Sequence, residues 1–180
     1  MRVEGIAPSA PQVKVPRLYI LKVALYGRRG TWRRIAIRGD QTLGALHRAI
    51  FHAFDRYDEH LYTFYLGPKS VTLTPHTAHQ QAVKYSHPQA IAHDGFWDVA
   101  GFEKRTPPRE KNAEETSFEA LRLGVGRQLL YLFDFGDDWW HLLTVENTNA
   151  EPDPSVTYPA VIATRGASPA QYPEYDGEDE

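Results

Sequence analysis

The 180-residue chain contains no cysteine and one methionine, and none of its apolar runs reaches the roughly 18 residues that a membrane-spanning helix requires. Without cysteine the chain has no disulfide framework, no thiol nucleophile and no cysteine-ligated zinc site. The first 17 residues also lack the unbroken apolar stretch of a secretory signal. These absences predict a cytoplasmic protein with no membrane partner.

Charge is distributed unevenly along the chain, although the formal net charge is only −3. Residues 1–60 contain 11 Lys and Arg against 5 Asp and Glu, whereas residues 131–180 contain 1 against 11. A chain that coats nucleic acid along its whole length is normally basic overall, so the net charge argues against that class. The asymmetry leaves two interpretations open: a local polyanion-binding face, or two solvated faces of opposite charge.

Local patterns predict two β-hairpins and one main helix. In chain order the predicted elements are strands at 18–25 and 31–38, a helix at 43–54, a strand at 60–66, a short helix at 116–123, and strands at 128–135 and 139–146. Asp40 or Thr42 is suited to cap the main helix, whose apolar residues recur on one face. Thr116 and Glu119 fit a capping box for the short helix.

These elements predict an α+β fold, in which one main helix packs on a mixed or antiparallel sheet of about five strands in a β-grasp-like arrangement. The expected organisation is an N-terminal arm at 1–16, one domain at 17–166 and an acidic, disordered tail at 167–180. Prolines and poor periodicity mark residues 67–115 as a long irregular insertion with one short strand at 70–73.

The segment YLFDFGDDWWH, from Tyr131 to His141 and continuing to Val145-Glu146, resembles the signature of the plasmid pRiA4b ORF-three family. Three further stretches agree with it: Trp32-Arg33-Arg34, Thr42-Leu43 with Leu46-His47, and His60-Leu61 followed by Phe64. The resemblance spans about residues 18–166. That family is also met as insertion-element passenger proteins of unknown function, so the resemblance implies a mobile-element accessory protein without an established reaction.

The chain departs from the family in its C-terminal part. Ser168-Pro169 stands where the resemblance would place a cysteine, and no cysteine follows. A metal-binding role of such cysteines is therefore not carried over. A resolvase activity is not carried over either, because the chain lacks the N-terminal nucleophilic serine and arginine arrangement of serine recombinases.

The acidic turn of the second hairpin carries the first candidate site, formed by Asp134, Asp137, Asp138, Trp139 and His141. If the loop has four residues, Asp134 and His141 face each other across the strands. Carboxylates with an imidazole suit a divalent metal or an Asp-oriented general base. The competing interpretation is that the Asp side chains accept backbone N–H groups within a tight turn. Trp139 and Trp140 are expected to point to opposite faces of the sheet.

The first hairpin carries the second candidate site, which consists of Arg28, Arg29, Trp32, Arg33 and Arg34. Arginine forks grip phosphates and a tryptophan stacks on a base, so this hairpin is a candidate nucleic-acid interface. The competing interpretation is that the arginines pair with acids of the C-terminal third. The histidines at 76, 79, 87 and 93 lie in the insertion without a regular zinc-ligand spacing.

The sequence favours a non-enzymatic binding module that acts through the groove beside the second hairpin, with a protein or a small molecule as partner. No cofactor and no metal are expected, and the oligomeric state stays open. A nucleic-acid-associated factor that uses the basic hairpin is the first alternative. A metal-dependent hydrolase that uses the acidic turn is the second.

Overall fold

The computed structural model describes residues 16–94 and 110–172 of the chain. Predictions for residues 1–15, 95–109 and 173–180, which include most of the expected arm, part of the insertion and the end of the tail, lie outside these residues. The strands are β1 (Leu18–Leu25), β2 (Trp32–Arg38), β3 (Tyr62–Leu66), β4 (Val83–Ser86), β5 (Glu110–Asn112), β6 (Gln128–Phe133), β7 (Trp139–Ala150) and β8 (Ala160–Arg165). The α-helices are α1 (Leu43–Ala53), α2 (Pro75–Gln81) and α3 (Pro88–Asp94), and a 3-10 helix spans Phe118–Leu121.

The eight strands form one sheet in the order β5-β4-β3-β6-β7-β1-β2-β8. Neighbouring strands are antiparallel except β4 and β5, which are parallel. The α+β class and both predicted hairpins are therefore confirmed. The predicted number of about five strands is wrong, because β4 and β5 form within the insertion and β8 forms after the second hairpin.

Two local predictions within the insertion and its flank are also wrong. Residues 70–73 form no strand, and Leu73 instead packs under the sheet beside Tyr65. The Thr116 hydroxyl donates to the carbonyl of Asn112 at 2.7 Å, so it does not cap the 3-10 helix. A reciprocal capping box is present earlier in the chain, at the start of α2, between Thr74 and Thr77.

Helix α1 covers one face of the sheet. Its N-terminus is capped by Thr42, whose hydroxyl accepts from the Ala45 N–H at 3.1 Å. Its stripe of Leu43, Leu46, Ile50 and Phe54 is buried in one cluster with inward residues of β1 and β2. The periodicity of the sequence therefore predicted both this helix and the face that it buries.

On the opposite face of the sheet, the buried apolar cluster of the described residues lies near the middle. Leu130 and Leu132 of β6 and Trp140 of β7 pack there against Tyr65 and against the segment that leads into and through α2. Strands β6 and β7 are therefore buried on both faces for part of their length, as their apolar density predicts. Of the described residues, none belongs to a helix with the length and apolar content needed to cross a membrane.

Arg33 connects the end of α1 with the C-terminal segment. Its side chain is 4% exposed, and Nε donates to the carbonyl of Ala53 at 2.7 Å. Nη1 donates to the carbonyls of Arg165 and Gly166 at 3.0 and 3.1 Å, and Nη2 donates to the Ser168 hydroxyl at 2.8 Å. One guanidinium thus satisfies acceptors from the end of α1 and from the C-terminal segment.

The substitution Arg33→Lys should lower the free energy of unfolding by about 2 kcal/mol, because an ammonium cannot reproduce the fork and leaves buried carbonyls without donors. Urea denaturation of the purified chain measures this change. The matched control is Arg29→Lys, at an exposed position of the same hairpin, which should change stability by less than about 0.5 kcal/mol. Equal stability of the two variants would contradict the structural role of Arg33.

Candidate functional site

The acidic turn between β6 and β7 is held by its own first residue. Asp134 is in the left-handed region with φ 60°, and its Oδ1 accepts from the N–H of Gly136 at 3.0 Å and of Asp137 at 3.4 Å. The backbone N–H of Asp138 donates to the Asp134 carbonyl at 2.9 Å. Asp134 is 5% exposed, whereas Asp137 and Asp138 are exposed. The Asp134 carboxylate therefore supports the turn.

The second oxygen of the Asp134 carboxylate lies 3.5 Å from Nε2 of His60, a contact that the sequence did not predict. The same Nε2 lies 2.8 Å from the hydroxyl of Tyr172, which donates to the carboxylate of Asp58 at 2.7 Å. That hydrogen bond lowers the pKa of Asp58 and raises the pKa of Tyr172 to about 12. This cluster attaches the C-terminal segment to the loop before β3.

The expected pair of Asp134 and His141 is wrong. Asp134 belongs to the turn, and the strand register places His141 opposite Tyr131. His141 is 1% exposed, and its Nδ1 lies 3.0 Å from the Trp139 carbonyl. Burial, with a smaller contribution from the Arg56 charge, lowers the pKa of His141 to about 3. The imidazole is therefore a neutral core group and is not accessible as a general base.

The two neighbouring tryptophans point to opposite faces of the sheet, as predicted. Trp139 packs on the α1 face, where the Arg56 guanidinium lies 3.8 Å from its ring centre. Trp140 is 9% exposed on the other face, with its ring centre 5.3 Å from that of Tyr65. Trp140 is therefore buried, and Trp139 is half-buried with Arg56 over its ring.

The five residues of the first candidate site are therefore not brought together. Asp134 contacts His60, while Trp139 and His141 belong to the α1 side of the core. Asp138 lines a cavity on the opposite face of the sheet. Across residues 16–94 and 110–172, no three His, Asp or Glu side chains converge in an arrangement that could hold a metal ion.

The second candidate site is also divided between two faces. Arg33 is buried on the α1 side, so the prediction that it contacts nucleic acid is wrong. Arg34 faces the other side and forms a bidentate pair with Glu146, with contacts of 2.6 and 3.2 Å. This pair agrees with the competing interpretation that an arginine meets an acid of the C-terminal third. Arg28 and Arg29 are exposed, and within the described residues neither forms an ion pair.

The turn of the first hairpin and the strands beside it line an open depression of about 450 Å³, here called the turn cavity. Its lining comprises Lys22, Ala24, Leu25, Tyr26, Gly27, Arg28, Arg29, Gly30, Thr31, Trp32 and Leu142. Ala24 and Leu142 form an apolar floor, because they are cross-strand partners on one face. The charged members are Lys22, Arg28 and Arg29, and none of the described residues that line the cavity is acidic.

Lys22 and Tyr26 are members of this site that the sequence reasoning did not include. Lys22 is the only charged residue of β1, and its ammonium lies 5.4 Å from the centre of the Trp32 ring. Tyr26 is 39% exposed directly before the turn. A single charge inside an otherwise apolar strand was the available signal, because such a charge must lie on an incompletely covered face.

A second histidine, His47, is half-buried and lies on α1, on the side that faces β3 and β6. The His47 ring stacks on Tyr62 with ring centres 3.8 Å apart, and its Nδ1 lies 2.7 Å from the Tyr131 hydroxyl. Tyr62 in turn donates to the carboxylate of Glu114 at 2.6 Å. Burial is the main cause that lowers the pKa of His47 to about 3. This network joins α1, β3 and β6 within the core.

Three contacts connect the segments that carry the sequence resemblance. His60 meets Asp134, His47 meets Tyr131, and Arg34 pairs with Glu146. The two partners of each contact come from two different motifs that are distant in the chain. The polar residues of the motifs therefore serve as contacts within the fold, and the turn cavity lies beside them.

The model of the family described as "Plasmid pRiA4b ORF-3-like protein" matches residues 17–174. No curated protein matches the chain. One similar solved structure is titled "Crystal Structure of Protein of Unknown Function MM3350 from Methanosarcina mazei Go1". It is 22% identical with a TM-score of 0.61, and the alignment covers 86% of this chain and 72% of that chain. The similarity to this structure supports the fold.

Stability should fall as the pH drops from 7.0 to 5.5. The pKa values of His47 and His141 are lowered to about 3, so the unfolded chain takes up protons near pH 6.5 while the folded chain stays neutral. Each histidine should then remove about 1 kcal/mol of unfolding free energy over this interval. Carboxylates contribute little there, because their ordinary pKa values lie near 4.

The variant His141→Phe should reduce this pH dependence by about 1 kcal/mol, because the contribution of one histidine is removed while His47 and His79, whose pKa values are also lowered, still contribute. Urea denaturation at both pH values measures it. Val145→Ala, which removes buried apolar atoms and no titrating group, provides the control: it should be less stable at both pH values and keep the wild-type pH dependence. An unchanged pH dependence in His141→Phe would contradict the assignment of His141 as a buried neutral group.

Proposed function

The chain belongs to the plasmid pRiA4b ORF-3-like family, and we propose that this member is a non-enzymatic binding module that binds single-stranded nucleic acid at the turn cavity. One observation carries the proposal. Three cationic side chains line a cavity with an apolar floor, and no described acidic side chain lines it. Phosphates and planar bases are the two parts of a ligand that such a lining complements.

The charged lining is suited to phosphate. Arg28 and Arg29 project from the turn without carboxylate partners among the described residues, so their guanidinium groups can donate to phosphate oxygens without breaking an existing ion pair. Lys22 adds a third cation from the strand below. Because the cations lie around a concave surface with apolar walls, their field is focused there although the net charge of the chain is negative.

The aromatic lining is suited to a base. Trp32 is half-buried at one side of the cavity, and Tyr26 is exposed near the rim. The Arg34 guanidinium carbon lies 5.0 Å from the Trp32 ring centre, and Glu146 fixes this arginine in place. Arg34 therefore orients the indole rather than serving as a free phosphate contact. A base that stacks on an aromatic ring contributes about 1–3 kcal/mol without strong sequence preference.

The acidic turn does not provide a comparable site for catalysis. Its three aspartates separate into a turn-supporting group, Asp134, and two exposed groups, Asp137 and Asp138. The histidine proposed to accompany them is buried and neutral. We therefore do not extend the proposal to a hydrolase.

The variant in which Arg28 and Arg29 are both replaced by alanine should bind a fluorescein-labelled single-stranded oligonucleotide about tenfold more weakly at low salt, a loss of about 1.4 kcal/mol. Fluorescence anisotropy over a salt series measures this. Three phosphate contacts predict a slope of log K against log salt near −2 for the wild type, since each contact on a single strand contributes about −0.7. The double variant should have a slope near −0.7.

The matched control is Arg38→Ala, which removes an arginine of the same hairpin that already pairs with Asp40 at 3.0 Å. It should retain the wild-type affinity and slope. The proposal is contradicted if the wild type shows no salt-dependent binding, or if Arg38→Ala weakens binding as much as the double variant does.

A further inference from the structure

A second cavity, of about 380 Å³, lies on the same sheet face beyond the second hairpin and is here called the lateral cavity. Its lining comprises Thr63, Tyr65, His79, Lys84, Ala90, Glu110, Leu132, Phe135 and Asp138. Strands β3, β4, β5 and β6, helices α2 and α3 and the acidic turn all contribute residues. This volume falls within the range of pockets that bind small molecules. The turn cavity shares no residue with it.

One wall of the lateral cavity is aromatic. The rings of Tyr65 and His79 have centres 5.3 Å apart in an edge-on arrangement, and both rings lie 5.3 Å from Trp140 behind them. Phe135 stands near the mouth, and 46% of its surface is exposed. A solvent-exposed phenyl group beside a packed aromatic wall provides a surface on which a planar ring can stack.

A buried pair of hydroxyl groups lies behind the lateral cavity and begins at Thr63, which lines it. The Thr63 and Ser86 hydroxyls lie 2.8 Å apart, and both residues are buried, with exposures of 3% and 0%. The Ser86 hydroxyl donates to the carboxylate of Glu110. Because this donor is buried and fixed by its neighbours, it orients the Glu110 carboxylate at the cavity wall.

The charged groups around the cavity are of both signs. Lys84 is adjacent to Glu110 across the parallel pair of β4 and β5, yet the two side chains form no ion pair. Burial lowers the pKa of His79, with Lys84 lowering it further and Asp138 raising it, so a neutral imidazole lies within electrostatic reach of both charges. Among the described residues, two carboxylates and one ammonium therefore line a cavity with an aromatic wall.

We propose that the lateral cavity binds a small ring-bearing ammonium compound that also carries a carboxylate, which is the chemistry of an aromatic amino acid. Glu110 pairs with the ligand's ammonium group, and Asp138 adds a second negative charge at the opposite side of the cavity. Lys84 pairs with the carboxylate of the ligand. The ring of the ligand stacks between Tyr65 and Phe135. An ammonium beside aromatic faces gains a further cation–π attraction. This site is separate from the proposed nucleic-acid site and does not depend on it.

Three probes separate the required groups: L-phenylalanine has the ring, the ammonium and the carboxylate, phenethylamine lacks the carboxylate, and 3-phenylpropionate lacks the ammonium. Each is titrated to about 10 mM into the full-length ¹⁵N-labelled chain, a range that detects a Kd near 1 mM. L-phenylalanine should shift the amide signals of Thr63, Lys84 and Asp138 and saturate. Phenethylamine should bind about tenfold more weakly, and 3-phenylpropionate should produce no saturating shifts.

Two variants test the roles of the charged side chains. Glu110→Gln keeps an acceptor for Ser86 and removes the negative charge, so L-phenylalanine and phenethylamine should both bind more weakly. The control is Glu115→Gln, at an exposed carboxylate outside the cavity, which should leave both affinities unchanged. Lys84→Met should weaken only L-phenylalanine, whereas Lys69→Met should not. The proposal is overturned if 3-phenylpropionate binds as well as L-phenylalanine, if the shifts lie elsewhere, if no amine binds, or if a control matches its variant. Spectra unchanged outside the cavity establish that each variant is folded.

Discussion

The antiparallel pairing of β1 with β7 is the contact on which the remaining architecture depends. It places Leu21 opposite Val145 and Val23 opposite Leu143, and all four side chains are fully buried. This pairing joins the first hairpin to the second, although β1 and β7 lie more than 100 residues apart in the chain. Separate two-stranded hairpins are at best marginally stable in water, whereas the joined strands present one continuous surface for α1 to cover.

The two cavities form because the sheet is much wider than the helices that pack on its face opposite α1. Eight strands at about 4.8 Å spacing extend over roughly 34 Å, whereas a seven-residue helix such as α2 is only about 10 Å long. The segment containing α2 covers β3, β6 and β7 around Trp140. The turn cavity and the lateral cavity lie on the two sides of this covered part, where no described helix packs fully against the sheet.

The sequence was sufficient where structure follows from local pattern. Alternation identified β1, β2, β6 and β7, and the apolar stripe with the Thr42 cap identified α1. It was insufficient where a strand exists only because of its partner. Glu110–Asn112 has no apolar residue and becomes β5 by pairing with β4. Ala160–Arg165 follows a proline-containing loop and becomes β8 by pairing with β2.

The prediction of the candidate sites was likewise correct where local pattern decides and incorrect where tertiary packing decides. Alternation established that Arg33 and Arg34 lie on opposite faces, but only tertiary packing decides which one is buried. The pair of Asp134 and His141 depended on the length of the turn, because a change in register moves every cross-strand partner. The sequence did not predict that Lys22 lines the turn cavity, and it did not predict the lateral cavity. Both cavities are lined by residues that are far apart in the chain.

Gly166 brings the C-terminal segment into close contact with the turn that carries Arg28 and Arg29, so it constrains the conformation of that turn. It has φ 72°, and a Cβ atom there would lie 2.6 Å from the carbonyl oxygen of Gly30. The absence of a side chain at position 166 therefore allows the backbone of the turn to pack closely against the C-terminal segment. Any larger residue at this position would clash with Gly30 and change the conformation of the turn. Relatives without glycine at this position should also carry a turn of altered length or composition, so the two positions should vary together during evolution.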